Sequence, residues 1–373
     1  MPYVIRSIKS KFSRYFNTYA PFWRNKEVGL YGNFGHGDVG DDASFIAAQD
    51  LLDINLMPLS KRCYAFNPSR LKALLIGGGG ILRWESPYIP RRILTKKKWN
   101  FPVILFSAGL NCDYNKKFTQ ETEDKIKKLC SVCDYITARD KLSQEFFNSL
   151  GFDKVSIMPD LELVLKEKPI DADFRKKGLN VGIVLTPHSE FNSADFKNIV
   201  EVFSEFTNYL LDRGNNVIYI PFEQSVSENT KENEMIQEIV KSAKYKDKVK
   251  VLEGNYGPKE ILLVIKKNCD VMACMRLHSA IFSTNAGIPF FCISYNLTHK
   301  GFLEMLDVQD LDIPFFKEFS FEAVKSKFEY ILANYDLIKS KLIEKRDYLR
   351  GLIYKEAGQI KNFLEKKNNR IVD

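Results

Sequence analysis

Arg276 and His278 stand on either side of a leucine, between an apolar run and a stretch of small residues. The run Val271–Met275 is typical of a buried parallel strand. The stretch Ser279–Gly287 predicts a helix that begins at the carboxyl end of that strand. Ligands bind at such junctions because the helix amino terminus offers N–H groups and partial positive charge. Arginine grips a carboxylate or phosphate with two hydrogen bonds, and histidine exchanges protons near neutral pH. The pattern therefore indicates an anionic substrate and proton transfer; an ordinary salt bridge and a core hydrogen bond are the alternative.

Two glycine-containing segments follow predicted strands in the first part of the chain. Gly32–Ala43 follows Val28–Tyr31; its glycines allow close approach of a ligand, and its acids could cap the next helix. Gly77–Gly80 follows Ala73–Ile76 and could turn backbone N–H groups toward an anion. Neither segment matches a Walker loop or a dinucleotide-binding fingerprint. Tight turns are the alternative for each.

The elements that position these residues are short apolar runs that alternate with helical patterns, the signature of parallel α/β sheets. The predicted strands are Val28–Tyr31, Ala73–Ile76, Val103–Ser107, Tyr135–Ala138, Val155–Met158, Val181–Leu185, Val217–Ile220, Val249–Leu252, Val271–Met275 and Phe290–Ser294. The predicted helices are Ala43–Leu52, Glu121–Leu129, Lys141–Leu150, Phe196–Asp212, Glu232–Ser242 and Lys259–Lys267. We predict an α/β fold of two tandem Rossmann-like, doubly wound domains with a cleft between them and a long carboxyl-terminal helix.

The expected division has four parts. A basic amphipathic segment covers residues 1–27, a first domain 28–170, a second domain 171–320 and a helical segment 321–373. The charged, proline-containing stretch Lys166–Gly178 is typical of a linker. From Phe321 onward, apolar residues keep helical spacing to near the end of the chain.

Composition narrows the class of protein. The chain has 373 residues, 45% of them hydrophobic, which suits two domains with separate cores. Seven scattered cysteines, an odd number, indicate reduced thiols and a cytoplasmic location. Cys130 and Cys133 have no second pair at metal-site spacing, so we interpret them as core residues and expect no metal. No apolar stretch approaches the roughly 20 residues that span a bilayer.

The net charge of +8 is concentrated in two places. Residues 1–26 contain arginines and lysines, no acid, and aromatic and apolar residues at helical spacing. A basic helix with such a face is typical of a membrane-surface segment; packing on the domain or organelle targeting is the alternative. A second basic cluster spans Arg91–Lys98. No motif of interleaved basic and aromatic residues indicates a nucleic-acid partner.

Several short motifs, none specific alone, occur in a recognisable order. They are Gly32-Asn33 through Gly40-Asp41-Asp42-Ala43, the run Gly77–Gly80, Ser107-Ala108-Gly109, Arg139-Asp140 with Ser143 and Gly151, Pro159-Asp160, Arg276-Leu277-His278-Ser279, and Gly287-Ile288-Pro289 with Tyr295, Lys300 and Gly301-Phe302. In order and spacing over residues 28–306, they resemble the polysaccharide pyruvyl transferases. The chain departs from the family where Leu161-Glu162 follows Asp160 in place of a common proline.

The resemblance implies a glycosyltransferase-B-like pair of domains and transfer of a pyruvyl group from phosphoenolpyruvate to two sugar hydroxyls, giving a cyclic ketal. No cofactor is implied beyond this donor. The expected donor contacts are Arg139, Arg276, His278, Lys300 and the backbone of Gly78, Gly79 and Gly80. The expected acceptor contacts are Asn33, Asp41, Asp42 and Tyr295.

We assign proton transfer to His278 and activation or orientation of the sugar hydroxyls to Asp41 or Asp42. The alternative for Arg139 and Asp140 is an ion pair at a helix start, and for Asp41 and Asp42 it is helix capping. The resemblance also implies an acceptor on a lipid-linked precursor at the inner face of the cell membrane. The sequence leaves the oligomeric state open.

Two other functions use the same architecture. A glycosyltransferase would bind a nucleotide sugar and place an acid, Glu223 or Glu253, at the ribose. A non-enzymatic sugar- or anion-binding protein would need no titrating group at His278.

Overall fold

A computed structural model describes residues 27–35, 37–60, 66–95, 98–114, 116–171, 173–188, 191–223 and 230–369. The predicted basic amino-terminal helix, His36 and part of the second basic cluster lie outside the described residues. The chain divides into two compact units. The first contains the described residues up to Leu165, together with Asn296–Met305 and residues 348–369; the second contains Lys166–Tyr295 and Leu306–Asp347. Instead of two continuous domains over 28–170 and 171–320, the chain returns twice to the first unit.

The first unit is built on a parallel sheet of six strands in the order β2-β1-β3-β4-β5-β6. The strands are β1 (Glu27–Tyr31), β2 (Leu56–Leu59), β3 (Leu71–Arg83), β4 (Val103–Asn111), β5 (Tyr135–Ala138) and β6 (Ser156–Ile157). The helices between them are α1 (Val39–Leu52), α2 (Gln120–Val132) and α3 (Lys141–Ser149), with short 3-10 helices at Pro68–Arg70, Arg91–Thr95 and Leu161–Val164. Because β1 lies between β2 and β3, the strand order reverses beside its carboxyl end, where ligands bind in such sheets.

The glycine run is part of β3, and the expected loop at Gly77–Gly80 is wrong. Gly77 lies opposite Phe106 and Gly79 opposite Ala108 in the ladder with β4, and the register shifts only after Gly79. Glycines lack side chains, so they interrupt the apolar pattern without ending the strand. The edge strand β2 escaped prediction because it is short and contains Pro58.

The second unit has its own parallel sheet, in the order β12-β11-β10-β7-β8-β9. The strands are β7 (Asn180–Val184), β8 (Asn216–Tyr219), β9 (Val249–Val251), β10 (Val271–Cys274), β11 (Phe290–Ser294) and β12 (Asp312–Pro314). The helices are α4 (Ser193–Asp212), α5 (Lys231–Ser242), α6 (Pro258–Asn268) and α7 (Leu277–Ala286). Strands β7, β10 and β11 are buried throughout, as expected where helices cover both faces of a sheet. The order reverses at β7, which lies between β8 and β10.

The last part of the chain contains several helices, and the predicted long carboxyl-terminal helix is the last of them. They are α8 (Leu297–Leu306), α9 (Phe315–Glu318), α10 (Phe321–Ala333) and α11 (Tyr335–Asn369), with a 3-10 helix at Gln309–Leu311. The helical pattern that begins at Phe321 is interrupted at Asn334, between α10 and α11. The side-chain Nδ2 of Asn334 donates to the carbonyl of Tyr330 at 2.9 Å. Asparagine competes in this way with the helical hydrogen bonds, and the apolar spacing on either side did not reveal it.

Candidate functional site

Arg276 and His278 occupy the junction of β10 and α7, as the sequence predicted. Arg276 is the last extended residue before the helix, and His278 lies in its first turn. Ser279 fixes the turn, since its Oγ donates to the carbonyl of Arg276 at 2.6 Å. Both side chains are half-buried. Because β10 neighbours β7, the junction flanks the point where the strand order of this sheet reverses.

The Arg276 guanidinium lies beside two carboxylates. Nη2 is 3.5 Å from Glu232 Oε2 and 3.9 Å from Glu223 Oε2. The Glu232 side chain is 0% exposed and the Arg276 side chain 15%. The two oxygens of Glu232 also accept from the backbone N–H groups of Phe222, at 3.3 Å, and Glu223, at 2.8 Å. A buried acid on α5 thus ties the arginine to the segment that follows β8.

Tyr295 follows β11 at the same edge of the sheet and belongs to an aromatic group. Its ring centroid is 4.4 Å from that of His188 and 5.5 Å from that of Phe191, both of which follow β7. Phe191 stacks on Phe315 at 4.4 Å. Tyr295 and Phe315 are buried in this group, whereas His188 and Phe191 are half-buried; the acceptor role of Tyr295 stays a prediction.

Asp41 and Asp42 lie in the first turn of α1, at the carboxyl end of β1 in the first unit. The helix is capped by Asp38 instead, whose Oδ1 accepts from the N–H groups of Gly40 and Asp41 at 2.9 and 3.2 Å. Asn33 Nδ2 donates to Asp41 Oδ2 at 2.6 Å, and the Gly35 N–H donates to Asp42 Oδ1 at 2.7 Å. Asp38 is therefore the residue that caps the helix. Asp41 and Asp42 instead accept hydrogen bonds from the loop that precedes it.

Burial and nearby charge change the proton affinity of these acids. The pKa of Asp41 is raised well above its usual value, first by burial and then by the charge of Asp38, against the Asn33 hydrogen bond. Burial also raises the pKa of Asp42, against the Gly35 hydrogen bond. A carboxylate with a raised pKa is a stronger base than an ordinary aspartate, which suits activation of a hydroxyl.

Glu162 is a buried acid that the sequence did not single out. It lies in the 3-10 helix Leu161–Val164 and is hydrogen-bonded to the hydroxyl of Ser44 on α1. Burial, followed by the charge of Asp160, raises its pKa to about 8. Its only signal in the sequence is that Leu161-Glu162 stands where the family often has a proline.

Arg139 is 2% exposed and lies between carboxylates of its own unit. Its Nε is 3.5 Å from Asp140 Oδ2, and its Nη1 is 3.4 Å from Asp160 Oδ1. Burial raises the pKa of Asp160 to about 6, and Arg139 opposes that rise. The ion pair that the sequence offered as the alternative is thus present. Donor contact by Arg139 stays a prediction.

The short motifs of the first unit converge on this ion pair. A Cβ on Gly109 would lie 2.5 Å from the Arg139 guanidinium, and a Cβ on Gly301 would lie 2.8 Å from the Asp140 carboxyl carbon. Asp140 also caps α3 by accepting from the Ser143 N–H at 2.7 Å. The glycines are therefore required for close packing around a buried charge.

Lys300 lies on α8, one position before Gly301, and belongs to the first unit. Its side chain is 49% exposed, and Nζ is 3.8 Å from Glu304 Oε1 one helical turn along. The predicted residues therefore form two groups. Arg276, His278 and Tyr295 lie in the second unit; Asn33, Asp41, Asp42, Gly78, Gly79, Gly80, Arg139 and Lys300 lie in the first.

Glu232 is the functional candidate that sequence reasoning missed at the arginine. It reads locally as an acid in the first turn of a helix, which Thr230 caps by accepting from the Asn233 N–H at 3.1 Å. Such acids are ordinary at helix amino termini. Only the pairing of β8, β7 and β10 brings it to Arg276, and no local pattern reports that contact.

Comparison with known proteins identifies the family and the fold. The family model for polysaccharide pyruvyl transferase matches residues 32–296. S. aureus MnaA, in a co-structure with UDP, has a TM-score of 0.60 and 11% identity and covers 92% of this chain and 97% of its own. UDP-GlcNAc 2-epimerase from Neisseria meningitidis, bound to UDP-GlcNAc, has a TM-score of 0.60 and 13% identity over 91% of this chain and 100% of its own.

Sucrose-phosphate synthase from Thermosynechococcus elongatus has a TM-score of 0.55 and 11% identity over 92% of this chain and 100% of its own. No curated protein sequence matches the chain. At these identities the structural likeness shows the fold alone. The predicted doubly wound, glycosyltransferase-B-like α/β fold is confirmed.

Proposed function

This chain belongs to the polysaccharide pyruvyl transferase family, and on that premise we propose that it moves a pyruvyl group from phosphoenolpyruvate to two hydroxyls of one sugar in a polysaccharide or lipid-linked precursor. The observation that supports this best is the pairing of Arg276 with His278 at the start of α7. In this proposal the donor binds at the amino terminus of α7. There it contacts the Arg276 guanidinium, which Glu232 holds in place, and the His278 imidazole.

The donor is an anion at both ends, with a carboxylate and a phosphate. Arg276 has a planar fork that fits either group, and the N–H groups at the start of α7 favour negative charge. His278 contacts the phosphate in this proposal. Lys300, Arg139 and the backbone of Gly78, Gly79 and Gly80 stay candidate donor contacts in the first unit, where Arg139 is held by its ion pairs with Asp140 and Asp160.

The chemistry needs a proton at one carbon and two carbon–oxygen bonds at its neighbour. A sugar hydroxyl attacks the central carbon of the donor while the methylene carbon takes a proton and becomes a methyl group. A second hydroxyl of the same sugar then displaces inorganic phosphate, which leaves with the carbon–oxygen bond electrons. His278 supplies the proton to the methylene carbon in this proposal, because an imidazole can give and take a proton near neutral pH.

Asp41 and Asp42 orient the attacking hydroxyls and accept their protons in this proposal. Their raised pKa values suit them to that part. Asn33, which donates to Asp41, and Tyr295, in its aromatic group, are the further acceptor contacts. Action on a lipid-linked precursor would place the protein at the inner surface of the cell membrane.

Binding of phosphoenolpyruvate tests the donor assignment. We expect the donor to raise the melting temperature of the wild-type protein by mass action. Arg276→Ala should abolish most of that shift, since a charge-assisted hydrogen bond contributes about 1.5–3 kcal/mol. Arg213→Ala removes a half-exposed arginine from the same unit and serves as the control. An unchanged shift in Arg276→Ala would remove that residue from the donor site.

A further inference from the structure

The two carboxylates beside Arg276 differ in exposure and in attachment. The Glu232 side chain is fully buried, whereas the Glu223 side chain is 36% exposed. Glu223 lies 0.4 Å farther from Nη2, the difference between 3.9 and 3.5 Å. One acid is therefore held in the protein interior, and the other is partly open to solvent.

Glu232 is fixed by the backbone around it. The N–H groups of Phe222 and Glu223 both donate to its carboxylate, and the acid itself lies in the first turn of α5. If the Glu232 carboxylate moved away from Arg276, it would be a buried charge without its ion-pair partner. Such a charge destabilises the protein far more than an exposed one. The side chain of Glu223 can turn into water without that cost, because exposed ion pairs contribute little.

The charges favour an exchange at the outer side of the guanidinium. Within the described part of the chain, the Arg276 guanidinium lies beside two carboxylates, and these three groups together are negative when all three are ionised. A donor anion that approaches Arg276 meets the carboxylate of Glu223 and is repelled by it. Turning Glu223 away relieves the repulsion and opens the side of Arg276 that the anion needs.

We propose that Glu223 competes with the donor's anionic group for Arg276, and that Glu232 is the positioning residue that holds the guanidinium in place while they exchange. This rests on the proposed function, since it takes Arg276 as a donor contact. The competition sets donor affinity by a residue that never needs to touch the donor. It also gives Glu223 a part different from the ribose contact expected of a glycosyltransferase.

Two substitutions should act in opposite directions on anion affinity. Glu223→Gln removes the competing charge, so the protein should bind phosphoenolpyruvate about two- to fivefold more tightly, the range that partly exposed ion pairs contribute. Glu232→Asp keeps the charge but withdraws the carboxylate by one methylene, so binding should weaken about tenfold. Glu238→Gln is the control. Glu238 is exposed on α5, the helix that contains Glu232, and this substitution makes the same charge change as Glu223→Gln, so it should leave anion affinity unchanged.

Titration calorimetry of the full chain with phosphoenolpyruvate, and separately with inorganic phosphate, measures both effects at constant low salt. Thermal unfolding without anion separates positioning from stability: a purely structural Glu232 would lower the melting temperature and leave affinity intact. Tighter binding in Glu223→Gln supports the proposal even if Glu232→Asp fails to fold.

Equal affinity in wild type and Glu223→Gln would overturn the competition. If the wild type bound phosphate with the expected ranking but no phosphoenolpyruvate, the proposed donor would be wrong and the anion exchange would stand. Binding of neither anion would overturn both.

Discussion

His278 is the residue on which the proton transfer depends. It lies in the first turn of α7, two positions from the arginine that we assign to the donor, and is half-buried. An imidazole there can both contact a phosphate and deliver a proton, and no lysine or arginine does both near neutral pH. A purely binding protein would need the cation but not the titrating group.

We therefore expect His278→Gln to fold normally and to lose about two to four orders of magnitude in turnover, the usual contribution of general acid–base catalysis. Glutamine keeps a hydrogen-bonding group at the position, so the affinity for phosphoenolpyruvate should change less than the rate. Phosphate release under saturating donor measures the rate, and the melting temperature is the control for folding. Turnover close to that of the wild type would mean that another group handles the proton.

The elements of the first unit hold a buried cluster of charged residues around Arg139. Arg139 and Asp140 come from one segment, Asp160 and Glu162 from another, and all four are buried. The cluster explains why glycines stand at 109 and 301, where a side chain would collide with the pair. Removing one partner of such a cluster is costly because a charge is left buried and unpaired.

Glu162 makes the stability of this unit depend on pH. Its pKa is about 8 in the folded protein and close to 4.3 in an unfolded chain, so the folded state holds a proton that the unfolded state has lost. The stabilisation is complete below the unfolded pKa and is lost as the pH rises through about 8. Asp160, with a pKa of about 6, acts in the same direction over a narrower range.

We expect Glu162→Gln to flatten this dependence. Between about pH 5 and pH 8 the wild type should lose up to about 1.4 kcal/mol per pH unit relative to the variant, because glutamine has no proton to lose. Urea unfolding at several pH values measures the free energy of unfolding of each protein. Parallel curves for the two proteins would show that Glu162 is already ionised in the folded state.

The sequence predicted the elements better than it predicted the partners of charged residues. Strand β5 and the junction at Arg276 could be read from apolar runs, since buried parallel strands are continuous stretches of such residues. The extension of β3 through the glycines could not, because glycines have no side chain to show a pattern. Glu232 and Glu162 reach their partners only through long-range packing, which leaves no local signal.

At the scale of the whole molecule, the two basic clusters of the sequence bear on where the protein works. Arg91 and Arg92 are exposed in the 3-10 helix Arg91–Thr95, and Lys98 follows them at an exposed position. No helix of the described part of the chain has the length and apolarity to cross a membrane. The basic residues within 1–26 lie outside the described residues, and their part in membrane contact stays a prediction.

We expect the full chain to sediment with anionic vesicles and to be released by salt, whereas a chain that starts at Asn25 should bind less. The reason is that each basic residue near an anionic surface contributes about 1 kcal/mol. Co-sedimentation with anionic and with neutral vesicles measures this, the neutral vesicles being the control. Equal binding of the two chains to anionic vesicles would contradict a membrane role for the amino-terminal segment and leave the transferase assignment intact.

The central claim is that the protein consumes phosphoenolpyruvate and puts its three-carbon unit on a sugar. The most direct measurement incubates the full chain with phosphoenolpyruvate and a panel of glycan and lipid-linked acceptors, and records phosphate release together with acceptor mass. We predict one phosphate for each acceptor molecule modified, and an increase in acceptor mass equal to that of phosphoenolpyruvate less phosphoric acid. Transfer of a glycosyl unit from a nucleotide sugar, with phosphoenolpyruvate untouched, would contradict it.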